Sequence, residues 1–170
     1  MSQQLVITIS ADDRPGIIRD ISKIILEHQG NWLDSSFSKL AGKFAGILLV
    51  STSNKNAASL KQDLLELSTD SFTLRVDSTS TTEHQPLEHI AVSIVGNDRP
   101  GIVDEIAGLL TASKVNVIKL DSRTENSPMA SGLLFVANLE IELADSEDFA
   151  ELQSKLESLS AELMVEICAA

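Results

Sequence analysis

The 170-residue sequence predicts an α+β fold built from two similar units, and three observations lead to this prediction. The pentapeptide Asp-Arg-Pro-Gly-Ile occurs at residues 13–17 and again at residues 98–102. Each copy follows an apolar pattern that alternates as in a half-buried strand, and each precedes apolar residues at helical spacing. The strand and helix patterns that come later also repeat in the same order. We therefore expect one supersecondary unit to occur twice.

The first half opens with a strand, because Leu5, Ile7 and Ile9 alternate with polar or smaller residues. A helix should follow the pentapeptide, since Pro15 suits the first position inside a helix. Gly30 is expected to end that helix. Its apolar residues fall on one stripe, and they are Ile17, Ile18, Ile21, Ile24 and Ile25.

Residues 31–40 and 44–50 predict two strands joined by the tight turn Ala41-Gly42. Ser53 or Asn54 is expected to cap a second helix. The apolar residues of this helix are Leu60, Leu64 and Leu67. Residues 72–76 then predict a fourth strand that closes the unit.

The second half repeats this pattern, with strands predicted at residues 90–94, 116–121, 133–143 and 163–167. The apolar residues of its first helix have the same offsets as before, and they are Ile102, Val103, Ile106, Leu109 and Leu110. A second helix is expected to begin at a Ser146 cap. Its apolar residues are Phe149, Leu152, Leu156 and Leu159.

The resulting order, β-α-β-β-α-β, is ferredoxin-like, so each unit should form a four-stranded antiparallel sheet with two helices on one face. We place the first unit at residues 1–77 and the second at residues 88–170, joined by a Ser/Thr-rich linker at residues 78–87. Units of this size bury only a modest share of their surface. They are therefore expected to pack against each other or against a second chain, which predicts a homodimer.

The net charge of −12 is unevenly distributed along the chain. Residues 1–85 carry 8 Lys and Arg against 10 Asp and Glu, whereas residues 86–170 carry 5 against 15. Because DNA-binding proteins neutralise phosphates with Lys and Arg, direct binding to nucleic acid is not expected. The acidic second half either keeps the protein soluble or faces a basic protein partner.

Enzyme, metal and membrane functions find little support in the residues. Cys168 is the only cysteine, which excludes an internal disulfide and a cysteine-cluster metal site, and no cofactor is expected. His28, His84 and His89 have no catalytic partner at a recognisable spacing, so a non-catalytic protein is predicted. The absence of a signal-peptide pattern and of an apolar run of ~18–20 residues predicts a cytoplasmic location.

The repeated turn is the candidate binding site. Gly16 and Gly101 allow another molecule to approach the backbone closely, and a helix N-terminus can hold a carboxylate or phosphate. Asp13 and Asp98 either cap the helices or accept a hydrogen bond from the ammonium group of a ligand.

A second coincidence supports this site. Asn31 and Asn116 each lie 18 residues after the corresponding aspartate. We expect each asparagine to open the strand beside the turn, where its amide could contact a bound amino acid. Each turn would then be half of a site that a neighbouring unit helps to complete.

With these features the chain resembles a tandem ACT-domain protein, an amino-acid-sensing module of metabolic regulation. The resemblance rests on residues 12–17 and 97–102 and on the two asparagines, and it covers nearly everything from Gln4 to Cys168. A narrower resemblance, to the glycine cleavage system transcriptional repressor family, rests on residues 30–35, residues 41–46 and Pro128-Met129.

The narrower resemblance implies a regulator without a DNA-binding domain, which contacts a DNA-binding activator of glycine cleavage genes under the control of glycine. Glycine is the first expected ligand and serine the second. In ACT domains generally, amino acids bind at a domain interface between the strand-to-helix turn and the start of the second strand. For this sequence, the resemblance implies a set of ligand-binding residues at the two turns and the two asparagines. They are Asp13, Gly16, Ile17, Asn31, Asp98, Gly101, Ile102 and Asn116.

One departure and two alternatives accompany this hypothesis. Some ACT domains that bind amino acids carry Asn where this chain has Asp13 and Asp98, and an aspartate would repel the carboxylate of a ligand. The chain could instead be a regulatory subunit that binds an amino-acid metabolic enzyme. It could also be a purely structural dimerisation module.

Overall fold

A computed structural model describes residues 2–79, 88–127, 132–143, 149–158 and 163–169. The chain divides into two compact units, one within residues 1–83 and the other within residues 84–170. Four expectations concern residues outside the described part: the Ser146 cap, the helical Leu159, His84 and the Pro128-Met129 pair. Residues 80–87 of the expected linker also lie outside it.

The first unit has six elements, and neighbouring strands of its sheet are antiparallel in the order β2-β3-β1-β4. The elements are β1 (Ser2–Asp12), α1 (Ile17–Glu27), β2 (Asn31–Leu40), β3 (Lys43–Ser53), α2 (Ala57–Glu66) and β4 (Phe72–Thr79). Because β1 and β2 are both antiparallel to β3, they run parallel to each other, and α1 carries the chain back between them.

The second unit has the same order, and its sheet is β6-β7-β5-β8. Its elements are β5 (Glu88–Asn97), α3 (Ile102–Ala112), β6 (Asn116–Asn126), β7 (Leu133–Leu143), α4 (Phe149–Ser158) and β8 (Met164–Ala169). Two four-stranded antiparallel sheets with four helices confirm the predicted α+β class. No helix of the described residues is long and apolar enough to cross a membrane.

The two cores follow the alternation of the sequence. Alternate residues of β1 pack with one stripe of α1 and of α2, and the fully buried side chains are Leu5, Ile7, Ile9, Ile21, Leu60 and Leu64. The core of the second unit is built in the same way around Ile90, Ile94, Leu152 and Leu156. Burying large aliphatic side chains of this kind contributes about 1.5–3 kcal/mol each.

The β2–β3 turn matches its prediction. Ala41 and Gly42 both have positive φ, at 49° and 80°. This is the conformation that a two-residue hairpin with the right-handed twist of its strands requires.

The predicted end of the first helix is wrong by one residue. Gln29, with φ of 53°, and not Gly30, takes the left-handed conformation after α1. Gly30 is required for space, because a Cβ there would lie 2.8 Å from Cγ2 of Ile25. Lys114 takes the left-handed position after α3, with φ of 55°.

Two further local predictions are corrected. Asn56, and not Ser53 or Asn54, precedes α2, and its side chain donates to the carbonyl of His28 at 2.9 Å without capping α2. Strand β6 extends five residues beyond the predicted end at Asp121, to Asn126. These added residues are polar and lack an apolar period, but they pair with β7.

Candidate functional site

The repeated turn is built around a left-handed glycine in both units. Gly16 and Gly101 are the N-cap residues of α1 and α3, with φ of 96° and 91°. The helices therefore begin at Ile17 and Ile102, and the prolines precede the cap, so the prediction that Pro15 lies inside the helix is wrong. A residue other than glycine is strained in this conformation.

The aspartates do not cap the helices, because neither helix N-terminus has a side-chain cap. The backbone N–H of Asp13 donates to the carbonyl of Gly42, and that of Asp98 donates to Leu133, both at 2.9 Å. The Asp13 carboxylate forms an ion pair with Lys39. Within the described residues, the Asp98 carboxylate has no such cation.

The arginines of the turns pair with acidic residues of their own helices. Arg14 contacts Asp20 at 2.8 Å, whereas Arg99 makes two parallel hydrogen bonds of 2.6 Å to the two carboxylate oxygens of Glu105. Hydrogen bonding from Arg99 holds the pKa of Glu105 below its usual value. The turn of the second unit is thus tied to α3 by the stronger, bidentate geometry.

The expectation that each asparagine lies beside its own turn is wrong. Asn31 pairs in register with Ser51, which pairs with Gln4 near the start of β1, whereas Asp13 follows the end of β1. Nine residues of strand separate these levels of the sheet, about 30 Å at the usual rise. Asn116 has the same placement relative to Asp98, because it pairs with Glu142 opposite His89 at the start of β5.

The surroundings of the two asparagines differ. The Asn116 amide donates to Glu142 at 2.9 Å, and His89 lies 3.5 Å from the same carboxylate and 3.3 Å from Glu140. Asn31 is exposed and has no side-chain hydrogen bond within the described residues. The second unit therefore holds its asparagine in an acidic cluster.

The isoleucines of the predicted site have a structural role. Ile17 and Ile102 are both 3% exposed and belong to the two cores. They anchor the first turn of each helix to the sheet, and their backbone N–H groups lie among those that have no acceptor inside the helix. In the second unit, the backbone N–H of Ile102 also donates to the carbonyl of Arg99 at 3.4 Å, so a ligand would compete with this bond.

A cleft lies beside the turn of the first unit, with a volume of about 430 Å³. Its walls include Asp13, Arg14, Gly16, Arg19 and Phe44. The cleft brings two arginines, one aspartate and the helix N-terminus together. This charge distribution suits a small molecule that carries both an anionic and a cationic group.

One cluster of polar side chains was missed from the sequence. His28 at the end of α1 contacts Asp63 at 2.7 Å through Nε2 and Ser59 at 3.2 Å through Nδ1, and both partners lie on α2. Their spacing from His28 in the chain, 31 and 35 residues, carries no recognisable signal. The cluster joins the two helices.

The described residues contain no group of His, Cys, Asp and Glu that could hold a metal ion.

Comparison with known proteins assigns the same family to both units. ACT-domain models match residues 3–77 and residues 89–163. A glycine cleavage system transcriptional repressor of Escherichia coli (strain K12) is 27% identical over 162 residues, which span 94% of this chain and 85% of that protein.

Two further similarities bear on the fold. A UPF0237 protein of Methanococcus maripaludis is 31% identical over 81 residues, which span 48% of this chain and 84% of that protein. The crystal structure of a protein of unknown function from Galdieria sulphuraria superposes with a TM-score of 0.82 at 22% identity, over 100% of this chain and 99% of that one. The latter similarity concerns the fold alone.

Proposed function

Because the chain belongs to the ACT-domain family, with two such domains in tandem, we propose that it is a non-catalytic regulator controlled by a small amino acid. The two ACT domains and the similarity to a glycine cleavage system transcriptional repressor support a regulatory role. Glycine is the first proposed ligand and serine the second. The proposed location is the cytoplasm.

The observation that carries this proposal is the geometry of the repeated turn. In each unit a left-handed glycine exposes the N-terminus of a helix, and an aspartate lies three residues earlier. The amides of the helix N-terminus favour a carboxylate. The aspartate favours an ammonium group. Together they suit the zwitterion of a free amino acid better than a phosphate.

An asparagine can complete this site only from another unit and not from the unit to which the turn belongs. Asn31 and Asn116 lie at the far end of the sheet from the turn of their own unit. Two copies that align their sheets antiparallel exchange these ends, so the asparagine of one copy approaches the turn of the other. We therefore propose that the protein binds its ligand as a homodimer.

The second unit is the stronger candidate for the occupied site. Asp13 is already neutralised by Lys39, whereas Asp98 has no cation among the described residues. Only Asp98 is therefore available to an incoming ammonium group without displacing another cation. Glu142, whose carboxylate accepts a hydrogen bond from Asn116, would add a second acceptor for that group where the Asn116 end of another unit meets this turn.

Calorimetric titration of the purified protein with each amino acid tests the proposal. Glycine has five heavy atoms, and small ligands gain at most about 1.5 kcal/mol per atom, so a dissociation constant between roughly millimolar and a few micromolar is expected. If neither glycine nor serine releases heat or shifts the melting temperature at millimolar concentration, the protein does not sense these amino acids.

The proposed output is contact with a regulatory protein, and the ligand would favour the arrangement of the dimer that this partner binds. The acidic second half suits a basic partner surface, with 15 Asp and Glu against 5 Lys and Arg in residues 86–170. Affinity capture with and without glycine tests this output. Recovery of a DNA-binding activator supports the proposal, and recovery of a metabolic enzyme alone favours the regulatory-subunit alternative.

A further inference from the structure

The polar cluster between α1 and α2 holds a serine, a histidine and an aspartate in a chain of contacts. Nε2 of His28 lies 2.7 Å from the carboxylate of Asp63, and Nδ1 of the same ring lies 3.2 Å from Oγ of Ser59. None of the three residues belongs to a turn of the proposed ligand site, so the proposed function makes no use of them. A hydroxyl, an imidazole and a carboxylate in this order are the groups of an activated nucleophile.

The carboxylate of Asp63 determines which nitrogen of His28 carries the proton. An ionised aspartate can only accept a hydrogen bond, so the hydrogen in this contact belongs to Nε2 of His28. A neutral imidazole has a single N–H, and its other nitrogen is then an acceptor. Nδ1 of His28 therefore presents a lone pair to the hydroxyl of Ser59, which is the arrangement that a general base requires.

His28 is held in place by its backbone as well as by its ring. Its carbonyl accepts hydrogen bonds from the hydroxyl of Thr52 at 3.1 Å and from the side chain of Asn56 at 2.9 Å. Its side chain is only 16% exposed, so the ring has little freedom to rotate away from its two partners. A base that is already oriented toward the nucleophile loses less conformational freedom on reaching the transition state.

Ser59 lies in the first turn of α2, among backbone amides that have no acceptor within the helix. The first hydrogen bond of this helix runs from the N–H of Leu60 to the carbonyl of Asn56, which leaves the N–H groups of residues 57–59 without an intrahelical partner. The side chain of Asn56 does not cap them, because it is bound to the carbonyl of His28. One of these amides belongs to Ser59 itself, and such donors beside a nucleophile can stabilise an oxyanion.

The hydroxyl of Ser59 has a second acceptor besides His28. Its Oγ lies 3.0 Å from the carbonyl oxygen of Asn56, slightly nearer than the 3.2 Å to Nδ1 of His28. That carbonyl also accepts the N–H of Leu60 at 2.8 Å, so it stays paired when the hydroxyl of Ser59 donates to His28 instead. Because Ser59 is exposed, a reagent can reach its Oγ from solvent.

The second unit shows that the fold does not require this cluster. Counted from the start of each helix, Glu151 and Lys155 on α4 occupy the positions that Ser59 and Asp63 occupy on α2, and they form an ion pair at 2.9 Å. Ser113 follows α3 where a histidine follows α1. The same architecture is thus built without an imidazole between a hydroxyl and a carboxylate, so the need to join two helices does not explain these three side chains.

We propose that Ser59 is a nucleophile activated by His28 and that it accepts an acyl group from an activated ester, which makes it a site of covalent modification. As Oγ forms a bond to the carbonyl carbon of the ester, the hydroxyl proton passes to Nδ1 of His28. The tetrahedral adduct then expels the alcohol part of the ester, which takes this proton from His28. The products are an acyl-serine and a free alcohol. Asp63 positions the ring and stabilises the imidazolium that exists between the two steps.

Labelling of the full chain with p-nitrophenyl acetate, followed by peptide mass spectrometry, tests this proposal. We expect an acetyl group on Ser59, and His28→Gln should slow its formation at least about 100-fold, the lower end of the range for general-base catalysis. Glutamine at this position retains a donor for Asp63 and an acceptor for Ser59, so the contacts between the helices remain while the base is lost. If Ser59 stays unlabelled, or if His28→Gln is labelled as fast as the original protein, the proposal is overturned.

Two other helical serines serve as controls within the same molecule. Ser22 and Ser158 each donate to the carbonyl three residues earlier, at 3.0 and 2.7 Å, as Ser59 does, but in the described residues neither is bound to a histidine. Both should stay unlabelled, and Ser59→Ala should remove the label without lowering the melting temperature. A fluorophosphonate, which reacts with activated serines, should modify Ser59 alone. Labelling of Ser22 or Ser158 at the rate of Ser59 would show that His28 confers no special reactivity and would overturn the proposal.

Discussion

Gly101 and Gly108 lie in the same helical segment, but only Gly101 needs to be glycine. Gly101 has φ of 91° at the N-cap of α3, whereas Gly108 lies inside the helix with open space at its Cβ position. An L-residue in the left-handed conformation costs about 1–2 kcal/mol, and glycine inside a helix costs about 1 kcal/mol relative to alanine.

Opposite effects on stability are therefore expected from the same substitution at the two positions. Gly101→Ala should lower the free energy of unfolding by about 1 kcal/mol, and Gly108→Ala should raise it by a similar amount. Chemical denaturation of both variants measures this difference. Equal effects of the same sign would show that the turn does not hold Gly101 in a strained conformation.

Gly46 gives a prediction about the aromatic cluster of the first unit. A Cβ there would lie 2.2 Å from the carbonyl oxygen of Ser36 and 2.3 Å from Cδ1 of Phe37. Gly46→Ala should therefore force β2 away from β3 and destabilise the unit by about 3 kcal/mol, at the upper end for overpacking. The emission of Trp32, the only tryptophan, should shift to longer wavelength as its contact with Phe37 is lost.

Ala45→Ser is the matched control for this substitution. Ala45 is exposed and precedes Gly46 on the same strand. Serine there should change the stability by no more than about 0.5 kcal/mol and leave the emission of Trp32 unaltered. If Gly46→Ala lowers the stability without changing the emission of Trp32, the added methyl group does not displace β2.

The Arg99–Glu105 pair predicts a pH effect of defined sign. The pKa of Glu105 is lower in the folded protein than in the unfolded chain. The pair therefore stabilises the fold at pH values above the pKa that Glu105 has in the unfolded chain. That contribution is lost as the pH falls from the unfolded pKa through the lower folded pKa. The difference in stability between the original protein and Glu105→Gln should therefore shrink on acidification.

Hydrogen exchange measures this effect locally, at the amides of residues 102–106. At neutral pH, Glu105→Gln should exchange faster there than the original protein. Asp20→Asn removes the corresponding carboxylate of the first unit and should leave these amides unchanged. A difference that grows on acidification would have the wrong sign for a depressed carboxylate pKa.

The fold could be predicted from the sequence because burial sets the periods that the residues show. Leu5, Ile7 and Ile9 alternate because one face of β1 meets the helices, and Ile17, Ile21 and Ile25 follow one buried stripe. The residue that takes the left-handed conformation after α1 could not be predicted in the same way. Gln29 takes this conformation, and Gly30 is a glycine because Ile25 leaves no room for a Cβ there.

The candidate site was only half predictable. The repeated turn and its glycines were found because their residue types are unusual and recur. The position of Asn31 was predicted wrongly, because the 18-residue spacing from Asp13 does not show in which direction the chain runs between them. A helix that joins two parallel strands returns the chain to the end where the first strand began, so Asn31 and Asp13 are separated by the length of β1. The His28–Asp63 contact depends on tertiary packing of two helices and has no sequence signal.

The two asparagines provide the last prediction, which separates a binding role from a structural one. Asn31 is exposed and its side chain has no hydrogen bond in the described residues, so Asn31→Ala should leave the free energy of unfolding within about 0.5 kcal/mol of its original value. Asn116→Ala also removes only an exposed contact, with Glu142.

If the turn of the second unit binds glycine together with Asn116 of a partner subunit, Asn116→Ala should weaken glycine binding about tenfold, as expected for one lost hydrogen bond to a charged group. Asn31→Ala should not. Calorimetry on both variants checks the difference, and an equal loss in both would mean that the two turns bind glycine alike.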